Sequence, residues 1–519
     1  MYLTQGLRRA LQFRSSETGV VFGERRRTWG EIVDRVSRLA GLLRSLGLET
    51  GDRVAMLAHS SDRYIEYYFA PLWAGGVIVP LNTRLAPAEM IELLCDSTPK
   101  ILLVDESFAS LVAELRAGAP ALRHVIYTGE GTTPPDMIDY EAAVAAASPV
   151  DDALRGGSDL AALFYTGGTT GKAKGVMLSH DNLCANAMNA FYAMGFDEDT
   201  VHLHAGPLFH LAAGSRVYSM TLAAGTHVVI PRFTPIDFLE AIQRHSVTAA
   251  VIVPTMASMF LDLPDLKNFD LSSLRSFSYG AAPMPEPVLR RLIDLLPGVR
   301  FTQSYGMTEL SPVATSLTHN WHALQGARAG KLTSAGRATA SAEVRIVDAE
   351  DREVARGEIG EVVVRGPMVM LGYWNQPEQT ARALRGGWMH TGDAAYMDEE
   401  GFIFIVDRVK DMIITGGENV YSTEVENAVY KHPAVRECAV IGIPDERWGE
   451  AVHAIVVPKE GVEVAPDEII GHCRRLIAAY KCPRSVTIRR EPLPLSPANK
   501  IDKKLLREPF WQKHGKRVN

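Results

Sequence analysis

Four short apolar runs, "RVAML" (53–57), "GVIVPL" (76–81), "KILLVD" (100–105) and "HVIY" (124–127), follow one another with helical stretches such as "RYIEYYFAPLWAG" between them. This alternation constrains the fold more than any other feature of the chain. Apolar runs without a polar residue at every second place read as strands buried on both faces. Parallel strands need a crossover between them, and a helix supplies it, so the pattern calls for a mainly parallel sheet covered by helices. Ahead of the first run, Thr28 and Glu31 have capping-box spacing, with Ile32, Val36, Leu39 and Leu43 recurring on one helical face behind them.

A second alternating block runs from about 160 to 320 and includes "THVVIPRF" and "VTAAVIVPTMASMF". The texture then turns β-rich, with "AEVRIVD" (342–348) and "GEVVVRGPMVMLGYW" (360–374). From roughly 408 a last segment has its own strands and an apolar helix near 466–480, enough for a small α/β domain. At 519 residues the chain holds about three to four domain-sized units. A net charge of -7 provides no basic field and argues against nucleic acid as a partner. Five cysteines (Cys95, Cys184, Cys438, Cys473, Cys482) form no CxxC pair, which fits a reducing cytoplasm. No apolar run is long enough to span a bilayer, and the N-terminus lacks a signal core.

"YTGGTTGKAKG" (165–175) carries the first chemistry. It is not a Walker loop, because Ala173 follows Gly171-Lys172 and no glycine stands five places before Gly171. Thr166, Thr169 and Thr170 still offer hydroxyls, and Gly167, Gly168 and Gly171 let backbone amides turn toward an anion. Lys172 and Lys174 add charge. A strand precedes the loop and a strand leading into a capped helix follows it.

Further blocks follow in order: "SYGAAPMP" (278–285), "QSYGMTEL" (303–310), "WMHTGDAAYMDEEGFIFIVDRVKDMIITGGENVYSTEVE" (388–426) and "LPLSPANKIDKKLLRE" (493–508). With the Thr/Gly/Lys loop, these resemble the adenylate-forming superfamily over nearly the whole chain, in its acyl-CoA synthetase and aryl-CoA ligase branch. The resemblance implies an α/β fold: a large N-terminal domain (1–407) with two doubly wound subdomains and a β-rich one, and a small mobile α+β domain (408–519). It implies ATP, Mg2+ and coenzyme A. A carboxylate attacks the α-phosphate, diphosphate leaves, and a thiol then takes the acyl group from the adenylate.

The resemblance also assigns roles. Thr166–Gly171 and Lys174 would clasp the phosphates, Glu309 would ligate magnesium, and Thr308 would touch phosphate. Tyr305 would stack on adenine, beside Gly280, Ala281, Ala282, Ser304, Gly306 and Met307. Asp393 would bind the ribose hydroxyls, with Arg408 and Ile405 nearby. Lys500 would be the catalytic cation joining carboxylate and α-phosphate, although Asn499 stands where the family commonly has glycine. Lys410 would be the hinge between domains, with Gly416 and Gly417 leaving room for a pantetheine arm.

The acid pocket would use His210, Val253 and Tyr279, and Ala212, Ala213 and Gly214 hint at space for a substrate larger than acetate. The leading reading is a medium- or long-chain fatty acid, with an aromatic acid of coumarate, ferulate or benzoate type as the alternative. A luciferase-type oxidoreductase and a non-catalytic acyl-nucleotide sensor are the competing classes. The former often ends in a peroxisomal tripeptide where this chain has "GKRVN"; the latter would not need Lys500, Glu309 and Asp393 together. A homodimer is compatible with all of these readings.

Overall fold

The computed structural model of the protein describes residues 1–166, 173–408, 412–415, 418–445, 447–495 and 501–512. Among these, the strands form sheets of nine, eight, five and four strands. The four opening runs are strands of the eight-stranded sheet, where Arg53–Leu57, Val77–Pro80, Ile101–Val104 and His124–Tyr127 run parallel. The expected parallel sheet is therefore present, and its residues are buried on both faces.

The nine-stranded sheet keeps Arg300–Tyr305, Ser276–Gly280, Ala249–Ile252, Val201–His204 and Thr226–Val229 parallel. Thr18–Phe22 crosses over to join this second sheet beside Thr226–Val229, although it precedes every strand of the first. Its hairpin partner Arg25–Thr28 closes that edge with three consecutive arginines, which discourages further pairing. Thr28 then caps the helix Trp29–Ser45: its side chain accepts from the Glu31 amide, while the Glu31 carboxylate accepts from the Thr28 amide at 2.7 Å.

Two apolar cores flank the nine-stranded sheet. Alternation along Ser276–Gly280 and Arg300–Tyr305 sends Phe277, Tyr279 and Phe301 into an outer core with Phe238, Phe260 and Leu289. It leaves Ser276, Ser278, Gly280, Thr302 and Ser304 on the inner face. On that side the helices His180–Met194 and Leu211–Ala223 pack between the two large sheets, with Met220 and Ala223 against Ala249.

The β-rich texture resolves into an antiparallel sheet of Glu343–Val347, Gly360–Arg365, Met389–Met397 and Ile403–Arg408. The chain changes sheet between Arg408 and Ile413. Beyond that, Val435–Asp445 and Gly449–Pro458 form the long hairpin of the C-terminal sheet. Half-buried Glu426 there pairs with Lys503 at 2.7 Å, joining its helix Ser422–Tyr430 to the start of the helix Lys503–Trp511.

Candidate active site

The C-terminal ends of the parallel strands in the nine-stranded sheet converge on a hairpin of the other large sheet. Leu160–Thr166 and Lys174–Ser179 pair antiparallel, with Thr166 opposite Lys174. The Thr/Gly/Lys loop is thus the tip of a hairpin. Gly167, Gly168, Thr169, Thr170 and Gly171 lie outside the described residues, but both flanks are fixed. Ser179 caps the following helix by accepting from the Asn182 amide at 3.1 Å.

Glu309 sits in the short turn Thr308–Leu310 and is buried. The Tyr373 hydroxyl donates to its Oε1 at 2.9 Å, and Lys174 Nζ lies 4.9 Å from the centroid of the Tyr373 ring. Burial first, then the Glu309 charge, pushes the Tyr373 phenol above its ordinary range, so it remains a donor. Tyr373 belongs to Gly372–Tyr373, which pairs with the hairpin strand at Val176–Met177. One aromatic ring thus ties Lys174, at the end of the Thr/Gly/Lys loop, to the expected magnesium ligand. Asn186 braces the turn, its Nδ2 donating to Leu310 O at 3.2 Å and Val313 O at 2.9 Å. Neither Tyr373 nor Asn186 was recognised from sequence. Tyr373 falls in a stretch that reads only as strand texture, and Asn186 in an ordinary helix.

The described residues hold no cluster of three His, Cys, Asp or Glu that could cage a metal. A single buried carboxylate suits Mg2+, which takes most of its ligands from phosphate and water. Glu309 would hold it.

Tyr305 and Asp393 meet. The Tyr305 hydroxyl donates to Asp393 Oδ2 at 2.8 Å across 88 residues of sequence. Asp393 is the register partner of Arg408. Its turn is fixed by Glu361, whose Oε1 accepts from the Gly392 amide at 2.9 Å. Ile405 is half-buried in the same strand as Arg408, opposite Ala395.

Gly280 pairs with Ser304 at the adjoining edge, and a Cβ on Gly280 would lie 2.3 Å from Ser304 O. Only glycine permits that approach. Ala281 then turns with φ 66°, with half-buried Ala282 next. Ser304 Oγ and Gln303 Oε1 are buried without a hydrogen-bond partner among the described residues. Gly306 has φ 155°, and a Cβ there would meet Pro312 O at 2.0 Å. Half-buried Met307 and Thr308 follow.

His210 is the N-cap residue of Leu211–Ala223, with its ring 4.6 Å from Phe209. Val253 holds the same place before Pro254–Leu261. Val253 directly follows the strand Ala249–Ile252, whereas a loop separates His210 from the strand Val201–His204. Tyr279, expected to wall the acid pocket, has its ring in the outer core with its hydroxyl 3.0 Å from His322 Nε2. Its neighbours Ser278 and Gly280 face the inner side instead. The hint of substrate space at Gly214 has another explanation: a Cβ there would lie 1.7 Å from Tyr68 Oη, so the missing side chain accommodates that hydroxyl. Lys410, Gly416, Gly417 and Lys500 lie outside the described residues; Leu495 and Ile501 bridge on either side of the segment that contains Lys500.

The family model described as AMP-binding enzyme matches residues 7–374, and that of the AMP-binding enzyme C-terminal domain matches 424–500. The chain belongs to the AMP-binding enzyme family. It is 41% identical to a feruloyl-CoA synthase of an Amycolatopsis species, over 95% of this chain and 96% of the relative. It is 33% identical to a long-chain-fatty-acid–CoA ligase of Bacillus subtilis, over 96% and 92%. The anthranilate CoA ligase AuaEII, solved in complex with anthranoyl-AMP, superposes with a TM-score of 0.90 at 26% identity, covering 98% of this chain and 97% of that one. The protein is accordingly an AMP-forming ligase of the acyl-CoA synthetase type. Among the described residues no helix is long and apolar enough to cross a membrane.

Proposed function

We propose that the protein joins an aromatic carboxylic acid to coenzyme A through an acyl-adenylate. The observation that carries this reading is the meeting of three elements at one end of the sheet: the Tyr305–Asp393 pair, the Tyr373–Glu309 pair and the Thr166–Lys174 hairpin. In this reading Tyr305 and Asp393 take adenine and ribose, and Glu309 and Lys174 face the phosphates.

In the first step a carboxylate oxygen bonds to the α-phosphorus while the bond to diphosphate breaks. Both reactants are anions, so they must be held in line and their charge offset. Thr166, Thr169, Thr170 and Lys174 hold the β- and γ-phosphates. Magnesium bound at Glu309 would supply charge neutralisation of the departing diphosphate. Lys500 brings its ammonium to the carboxylate and the α-phosphate. In the second step the thiolate of coenzyme A bonds to the acyl carbon and AMP leaves. A rotation about Lys410 withdraws Lys500 and brings Gly416 and Gly417 over the site, where they leave room for the pantetheine arm.

The aromatic class is favoured over a fatty chain by the 41% relative and by the inner face of the sheet. Beyond the Met220–Ala249 contact, Ser278, Thr302 and His204 line it, a poor match for a run of methylenes. The test is acid-dependent exchange of labelled diphosphate into ATP, followed by thioester formation with coenzyme A. Exchange with fatty acids and none with aryl acids would reverse the substrate class. Lys500→Ala should abolish exchange while sparing thioester formation from supplied acyl-AMP; equal loss of both would remove the assigned division of labour.

A further inference from the structure

The reaction leaves a buried cation without a task. Arg216 lies on the helix Leu211–Ala223, which opens at His210, and is 3% exposed. Its Nε and Nη1 have no hydrogen-bond partner, and it forms no ion pair among the described residues. Burial alone pulls its pKa from 12.5 down to about 10, and the side chain is still charged at neutral pH. Its field reaches His202 and His204, yet burial, before any neighbour's charge, holds both imidazoles far below their ordinary range. They are neutral and offer no counter-charge. His202 Nδ1 is itself buried without a partner among the described residues.

The position of Arg216 follows from packing. Met220, one turn further on, packs with Ala249 of the neighbouring strand, so the stripe 216–220–223 faces the inner side of the nine-stranded sheet. The helix runs antiparallel to that sheet, because it connects two parallel neighbours. Four residues back along a helix is about 6 Å, or about two residues up a strand at about 3.3 Å each. Arg216 is therefore level with Val251 and Ser278, about two strand residues short of Gly280 at the nucleotide end. One substituted ring spans that interval.

A guanidinium is costly to bury unpaired, and the usual remedies are a carboxylate partner or exposure. Among the described residues Arg216 has neither. We propose that Arg216 determines specificity by pairing with an anionic oxygen at the far end of the acid substrate. That oxygen is a second carboxylate or an acidic ring hydroxyl. The inference rests on the acid–CoA ligase reading above and adds the substrate's second charge.

The experiment is diphosphate exchange by the full-length enzyme with matched acids: terephthalate against 4-methylbenzoate, and 4-hydroxycinnamate against cinnamate. The member with the second acidic oxygen should have a kcat/KM at least about tenfold higher, the scale of a charged hydrogen bond. The first pair reads a carboxylate and the second a phenol, so the larger ratio identifies the source. Arg216→Met should erase that ratio with the KM for ATP unchanged, and Arg216→Lys should retain part of it. Equal kcat/KM within both pairs would overturn the proposal even if the variants fail to fold, as would a ratio that survives Arg216→Met. Exchange with no acid of any class would instead remove the ligase reading itself, and this proposal with it.

Discussion

Gly214→Ala is the change at which local propensity and tertiary structure give opposite signs. Gly214 lies inside the helix Leu211–Ala223, where replacing glycine by alanine normally stabilises by about 1 kcal/mol. Here the added methyl would sit 1.7 Å from Tyr68 Oη and 2.8 Å from Leu208 O. Tyr68 is fully buried, and its hydroxyl donates to Leu208 O at 2.6 Å. Displacing it loses that bond and strands a buried carbonyl, at about 1–3 kcal/mol. Overpacking adds about 1–3 kcal/mol. After subtracting the propensity gain, the net loss is about 1–5 kcal/mol. Urea unfolding reads it directly as a lower midpoint at unchanged slope. Because Leu208 leads into His210, the KM for the acid should rise while that for ATP holds. Tyr68→Phe removes the clashing oxygen, so the double variant should be at least about 1 kcal/mol more stable than the sum of the single losses predicts. A Gly214→Ala protein more stable than wild type, or strictly additive single changes, would refute the packing argument.

Three further outcomes follow from the site and its surroundings. Asp393→Ala should raise the KM for ATP by about tenfold to a hundredfold, through lost charged hydrogen bonds, with the KM for the acid little changed; Tyr305→Phe, which removes the donor to Asp393, should share its direction with a smaller effect. Tyr373→Phe should slow diphosphate exchange by about tenfold through a less constrained Glu309, with a raised magnesium requirement; an unchanged magnesium titration would count against that role. The third concerns pH. Burial lowers His180, His322 and His453 from 6.5 to about 4 and His227 to about 3, so the fold favours their neutral forms. Their stabilisation is complete above 6.5 and is lost as pH falls toward these folded values. Urea midpoints should therefore decline between about pH 7 and about pH 5. Midpoints that stay level across that window would contradict the assignment. Asp62 acts lower: burial raises it, but Arg25, Arg27 and Arg63 outweigh that and hold it below 3.8. Its contribution is lost only as pH drops through that depressed value.

What could be read before folding was whatever neighbouring residues decide among themselves. Apolar runs specified the strands, Thr28 with Glu31 started a helix, and the motif blocks announced an adenylate-forming chemistry. These depend on spacing within a few residues, which the chain carries in any conformation. Four features depended on which strand lies beside which. Tyr373 reaches Glu309 across 64 residues, and Tyr305 reaches Asp393 across 88. Gly214 is small because Tyr68 crosses its helix, and Arg216 is unpaired among the described residues because its neighbours are neutral histidines on an inner sheet face. Strand order and helix orientation choose those encounters, and no local pattern records them. Even Tyr279, one residue from Gly280, turned to the outer core because alternation along a strand sends neighbours to opposite faces.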